Sequence, residues 1–249
     1  MQHEKESSIT TGTREFFHVH TSRCKHASSD TDDDYTEAAL KLGASKIVFT
    51  DHCPFPENPF TNRMDMEQLP EYIHSLKLLK TKYEKFIDVQ IGLETEFLPS
   101  FRTYYEKLVE MGGLDLLILG QHFYEVEPDV YSFSMEDKHN EYIGLAKATL
   151  QGIKSGYFSV VAHSDRIFRR KTGWDETMAG ISKEIIDEAK KVGIPLEINA
   201  SSIRRRLYKQ EFWDLVPPEV KIIKGIDAHS VAELNEGFTK CHYCTSFRK

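Results

Sequence analysis

Phe16-Phe17-His18-Val19-His20 is a short apolar, β-prone run that ends in two histidines one residue apart. Six further runs share its form: Lys46–Asp51, Val89–Phe97, Leu114–His122, Ser159–His163, Pro195–Asn199 and Lys221–Asp227. Their length and β-rich composition read as buried strands. Amphipathic stretches lie between them. Asp32–Leu42 opens on acids that suit a helix N-terminus and stops near Gly43. Met66–Phe86 carries Leu69, Ile73, Leu76, Leu79 and Tyr83 at spacings of three and four, an apolar stripe. Phe101–Met111, Lys138–Lys154, Glu176–Val192 and Val231–Phe238 follow the same logic, with Gly112, Gly156 and Gly193 at helix ends. Repeated strand–helix alternation implies parallel strands with helical crossovers, hence an α/β barrel or a doubly wound sheet. No glycine-rich phosphate loop or dinucleotide fingerprint follows any strand, which counts against the nucleotide-binding version.

A chain of 249 residues without a Pro-, Gly- or Ser-rich linker reads as one domain, 14–249, after a polar leader, 1–13. The leader lacks the apolar core of a signal peptide and no apolar run reaches the length of a membrane span, so the expectation is a cytoplasmic protein that does not enter membranes. A net charge of −7 argues against broad binding to nucleic acid. Cys24, Cys53, Cys241 and Cys244 are too few and too uneven for a disulfide framework. The Cys241–Cys244 pair, without a second pair, reads as part of a solvated tail.

The strand ends carry the chemistry. The first ends in His18 and His20, followed by His26; the second ends in Asp51-His52; the third contains Glu94. The fourth ends in His122, the fifth in His163, the sixth offers Glu197 and Asn199, and the seventh ends in Asp227-Ala228-His229. In a parallel barrel these ends share one face, where loops build active sites. Residues two apart on a strand leave the same face, so His18 and His20 should point together while Val19 packs the other way. Imidazole and carboxylate suit zinc, manganese or iron, and this many donors exceed what a single zinc needs. His3, His74, His139 and His242 lie at no strand end and read as ordinary surface or hydrogen-bonded residues. The loops Pro54–Asn62 and Phe123–Asp137 follow strand ends and are long enough to cover a site.

His18-Val19-His20 with His26, Thr50-Asp51-His52, Gly92-Leu93-Glu94, Gly120-Gln121-His122, Ala162-His163 and Gly225-Ile226-Asp227-Ala228-His229 resemble the polymerase-and-histidinol-phosphatase (PHP) superfamily, from Phe16 to about Phe238. The resemblance implies a distorted (β/α)7 barrel with its active site at the C-terminal ends of the strands. It also implies two to three divalent ions (Mn, Zn or Fe). One would be held by His18, His20, Glu94 and Asp227, a second by Glu94, His122 and His163, and a third by His26, His52 and His229. The segment Leu196–Arg204 is similar to the histidinol-phosphatase branch, although Ile198, Ser202 and Ile203 depart from its usual pattern. Arg166 fits a phosphate-binding role in that branch, and the expected substrate-binding residues are Arg166, Ser201 and one of Arg204 or Arg205, forking onto phosphate oxygens.

The expected reaction is hydrolysis of a small phosphate monoester, best guessed as L-histidinol phosphate, by a hydroxide that bridges two metals and attacks in line. Asp165 and His229 are the candidates for the acid that protonates the leaving alkoxide, and Asp51 for a partner of a metal-bound histidine. Glu57, Glu125, Glu127 and Glu197 are available to meet a substrate ammonium. A phosphodiesterase or exonuclease, a nucleoside bisphosphate phosphatase and a phosphotyrosine-protein phosphatase fit the same cluster. A non-catalytic metal-binding module is the alternative from another class. Oligomeric state is not legible in the sequence.

Overall fold

The computed structural model describes residues 14–57 and 59–243. The leader 1–13 and Cys244 lie outside them, so the expectations for the leader and for the Cys241–Cys244 pair have no structural counterpart. Seven parallel strands close a barrel: β1 (Glu15–Val19), β2 (Lys46–His52), β3 (Asp88–Thr95), β4 (Leu116–Leu119) and, beyond a two-stranded hairpin of β5 (Glu125–Glu127) and β6 (Val130–Tyr131), β7 (Val160–Val161), β8 (Leu196–Asn199) and β9 (Ile222–Ala228). The last strand pairs with the first, so the barrel has no free edge.

Helices α1 (Asp32–Lys41), α2 (Leu69–Tyr83), α3 (Arg102–Glu110), α4 (Glu141–Ser155), α5 (Glu176–Val192), α6 (Ala200–Arg204), α7 (Gln210–Asp214) and α8 (Val231–Tyr243) fill the connections. The stop and start signals act as their chemistry predicts. Thr31 and Asp34 form a capping box at α1, Asp175 caps α5 through the Met178 N–H, and Gly156 and Gly193 end α4 and α5 in the left-handed conformation. No periodicity marks α6 and α7, which are five residues each, or the hairpin inside the Phe123–Asp137 loop.

The core divides as a barrel requires. Phe17, Val48, Ile118, Val160 and Ala162 form a small cluster of their own, while Phe16, Ile47, Phe49, Val89 and Ile91, the alternate strand positions, pack in the large cluster with the helices. Register carries the strand ends to one rim: β2 and β3 pair without interruption from Lys46 opposite Asp88 to His52 opposite Glu94.

One expectation needs correction. β1 stops at Val19, and His18 is in the left-handed region (φ 71°), so His18 and His20 do not leave one face of a regular strand. The β1–β9 register shifts here: Phe17 faces Gly225 and Val19 faces Ala228. The bulge turns both rings inward, with centroids 5.0 Å apart.

Candidate metal centre

At the rim, the structure brings all nine of the expected ligands together. His18, His20 and Glu94 offer one set of donor atoms within 4.8 Å of one another, Glu94, His122 and His163 a second, and His26, His52 and His229 a third. Glu94 stands between the sets. Its Oε1 is 2.7 Å from His163 Nε2 and 3.6 Å from His122 Nε2, and its Oε2 is 3.3 Å from His18 Nε2 and 3.4 Å from His20 Nε2. Asp227 Oδ1 lies 3.5 Å from His20 Nε2. Three of these residues hold uncommon backbone conformations: His18 (φ 71°), His163 (φ 33°) and Asp227 (φ 54°). Each costs on the order of 1–3 kcal/mol, strain that a fold retains where a side chain must be aimed.

Their outer nitrogens are anchored. His18 Nδ1 meets Glu197 Oε1 at 2.7 Å, His122 Nδ1 meets Glu96 Oε1 at 2.9 Å and His26 Nδ1 meets the Cys24 carbonyl at 2.9 Å. Such partners fix the ring orientation and leave Nε2 free to bind a cation. Glu197 also accepts from the His163 N–H and from Asn199 Nδ2, which occupies it within the buried network and removes it as a partner for a substrate ammonium. Glu125 is bound to Ser100, and Glu57 and Glu127 are exposed outside the cavity wall. Asp51, expected to meet a histidine, is instead held by the Thr21 N–H and hydroxyl, with His20 Nδ1 3.9 Å away.

Electrostatics match ligand chemistry. Burial lowers His20, His52 and His229, and takes His163 down to about 4, so these rings stay neutral. Burial opposes charge on both Glu94 and His18, but Glu197, Glu94 and Asp227 raise His18 well above its usual value, and His18 in turn leads the neighbours that hold the Glu94 carboxyl well below its own. Burial likewise opposes charge on Glu96; Arg63 and then His122 overcome it and hold that carboxyl at about 2. The residues fit divalent cations on a further ground. His18 Nε2, both ring nitrogens of His20 and His229 Nε2 are buried without a hydrogen-bond partner, a cost of about 1–3 kcal/mol each unless something binds them.

Above the cluster is a cavity of about 480 Å³. Arg166, Arg205, His26, His52, His122 and Asp227 line it, together with Phe60, Phe123 and Phe133 from the two long loops. Arg166 is fixed by Asp227 Oδ2 at 2.7 Å, Asn199 Oδ1 at 2.9 Å and Ser202 Oγ at 3.0 Å.

Three residues expected to act on or bind the substrate do not line this cavity. Asp165 is fully buried in the turn after His163, where its Oδ2 accepts from the Lys209 N–H at 2.7 Å and burial pushes the carboxyl up to about 6. Ser201 is buried inside α6, and Arg204 packs toward α8 with Nη2 3.8 Å from Glu233. The neutral state of His229 suits a ligand better than a proton donor. Conversely, Glu96 and Arg63 line the cavity and went unnoticed, although Glu96 follows Glu94 at the two-residue spacing that shares a strand face. Cys24 is another addition: its sulfur lies near His20 and His229. His74 and His139 are exposed, as surface residues should be.

A family model described as the PHP domain matches residues 17–201. The chain belongs to the PHP family. Among its PHP relatives, a probable histidinol-phosphatase from Deinococcus radiodurans is 30% identical over 234 residues, covering 89% of this chain and 88% of that protein. The histidinol-phosphatase of Bacillus subtilis is 23% identical, over 89% of this chain and 95% of its own length. The histidinol phosphate phosphatase of Lactococcus lactis, solved with zinc, L-histidinol and phosphate, superposes with a TM-score of 0.69 at 19% identity, covering 93% of each chain. Its likeness bears on the PHP fold, a seven-stranded barrel here as the resemblance implied. This PHP protein is a metal-dependent phosphoric-ester hydrolase of the histidinol-phosphatase kind. Among the described residues no helix is long and apolar enough to cross a membrane.

Proposed function

We propose that this chain hydrolyses L-histidinol phosphate to L-histidinol and phosphate, with three divalent ions at the nine clustered side chains. The observation that carries the proposal is a cavity lined at once by arginines, clustered metal-type donors and three aromatic rings. A phosphate monoester that carries a flat imidazole matches both kinds of lining. The names of the relatives point to the same substrate.

In this reading His18, His20, Glu94 and Asp227 hold one ion, Glu94 with His122 and His163 a second, and His26, His52 and His229 a third. Bound there, the ions would supply a nucleophilic water at neutral pH and offset charge on the phosphate oxygens. The mixed imidazole and carboxylate donors suit manganese, zinc or iron. Arg166 presents a guanidinium already oriented by Asp227 and Asn199, so little freedom is lost when it meets a phosphate oxygen. Arg205 offers a second cation at the mouth. Phe60, Phe123 and Phe133 exclude water and receive the heteroaromatic ring.

The test is phosphate release by the manganese-loaded protein from L-histidinol phosphate, with adenosine 3′,5′-bisphosphate as control. A rate on histidinol phosphate far above the control, lost in His163→Asn, is expected. Faster release from the bisphosphate would move the substrate to nucleotides, and silence on both would overturn a small-molecule phosphatase.

A further inference from the structure

His122 is part-exposed at the cavity wall, yet its ring is held from behind through two buried residues. Glu96 Oε1 lies 2.9 Å from His122 Nδ1. Both Glu96 oxygens are gripped by Arg63, Nη1 to Oε2 at 3.2 Å and Nη2 to Oε1 at 3.3 Å. Arg63 Nη1 also donates to the Cys53 carbonyl at 2.9 Å, and the guanidinium lies 5.3–5.7 Å from the ring centroids of Phe55, Phe60 and Phe123. Arg63 and Glu96 are 5% and 1% exposed, so neither is a surface pair held only loosely by solvent-screened attraction.

A carboxylate forked by an arginine has only lone pairs to offer. The hydrogen between it and His122 must therefore sit on Nδ1. The other ring nitrogen, Nε2, is then bare and faces Glu94 Oε1 at 3.6 Å, within the same donor set as His163. The chain thus builds a relay from the aromatic loop after β2, through the segment after β3, to a ring after β4.

We infer that Arg63 and Glu96 are a positioning pair for the metal centre: Glu96 fixes the His122 ring with Nδ1 protonated and Nε2 bare, and Arg63 fixes Glu96. The inference rests on His122 being a ligand, as proposed above, but not on any substrate. Neither residue touches the reacting atoms; both act through His122. Because Arg63 is packed among the rings that wall the cavity, the same contact ties the order of that wall to the metal centre.

The experiment uses the full chain, stripped with a chelator and titrated with zinc against a chromophoric competitor, with bound zinc counted by mass spectrometry. Glu96→Leu should weaken the ion held by His122 by about 10–100-fold, the usual cost of removing such a partner. Glu96→Gln should recover most of that loss, since its amide oxygen still accepts from Nδ1–H. Arg63→Met should fall between them. Wild-type zinc affinity in folded Glu96→Leu, or equal loss in the Gln and Leu variants, would overturn the inference. His122→Asn separates the two ideas: unchanged zinc binding there sinks the ligand reading itself. Should Glu96→Leu not fold, the tautomer is read on the unaltered chain by long-range ¹H–¹⁵N correlation, with His122 assigned from His122→Asn. A proton on Nδ1 supports the pair, and one on Nε2 refutes it.

Discussion

Glu197 Oε1 lies 2.7 Å from His18 Nδ1, and the same oxygen stands only 1.6 Å from where a Cβ on Gly225 would be. Strand β9 must therefore present a bare backbone here. Gly120 does the same for Glu94, whose Oε1 would be 2.0 Å from an added Cβ. The two buried carboxylates that organise the histidines each lie against a glycine of a neighbouring strand or strand end. Gly225→Ala should displace Glu197, lower stability by about 1–3 kcal/mol as overpacking does, and weaken metal binding through His18. Urea unfolding of metal-free protein, followed by metal counting, checks both effects; wild-type values in each would refute the account.

Removing metal should cost stability as well as activity. The unpartnered nitrogens of His18, His20 and His229 are buried, and the donors assemble only in the folded chain. A ligand that binds the folded state alone adds about 2.7 kcal/mol at a hundred times its Kd. Chelator-treated protein is therefore expected to melt at a lower temperature and to release no phosphate. Adding manganese or zinc should restore both. A melting temperature indifferent to metal would show that the cluster is satisfied without it.

The strand–helix alternation was legible because the hydrophobic pattern sets six helical stretches among seven strand-like runs, and the resemblance to the PHP superfamily chose the closed barrel over a doubly wound sheet. The centre was legible because donor residues recur at strand ends, which parallel topology carries to one rim. What escaped the reading depends on local backbone geometry. The convergence of His18 and His20 comes from a bulge at φ 71°, not from the pleat of a strand. Asp165 is a candidate acid in the sequence, but the turn that follows left-handed His163 buries it against the Lys209 N–H. Arg63 is 33 residues from Glu96, and their fork is a tertiary contact with no local pattern.

Asp165→Asn should leave turnover nearly intact. Loss of a true general acid costs about 10²–10⁴-fold, whereas the carboxyl here is turned away from the cavity and accepts from the Lys209 N–H, which an amide oxygen can also do. Steady-state kinetics across neutral pH decides it. A loss of the full catalytic size would put Asp165 back in the reaction.

Away from the centre, Arg23 bridges Glu71 and Asp32 at 2.8 and 2.9 Å. The hydrogen bond from Arg23 holds the Glu71 carboxyl below its ordinary value. A depressed carboxyl stabilises the fold above its unfolded pKa, and that contribution fades as pH falls through the folded one. Glu71 is well exposed, so the pair should be worth no more than about 1 kcal/mol. Glu71→Gln is thus expected to lower the urea midpoint at pH 7 slightly, with a deficit that shrinks as pH is lowered below the ordinary carboxylate range. A deficit that persists in acid would assign the effect to packing.

Arg204 and Arg205 are neighbours whose fates differ because successive helical residues point about 100° apart. Arg205 faces the cavity, while Arg204 is buried toward α8, with Glu233 3.8 Å from its Nη2. Arg205→Met should leave stability unchanged and lower kcat/KM for the phosphate ester by about ten- to a hundredfold, the size of one charged hydrogen bond. Arg204→Met should leave the KM alone and change the urea midpoint instead, since its guanidinium nitrogens are buried without hydrogen-bond partners. Measuring both variants by phosphate release and by unfolding separates the roles. If Arg204→Met raised the KM at wild-type stability, the arginine that meets the substrate would be Arg204, and α6 would have to turn to present it.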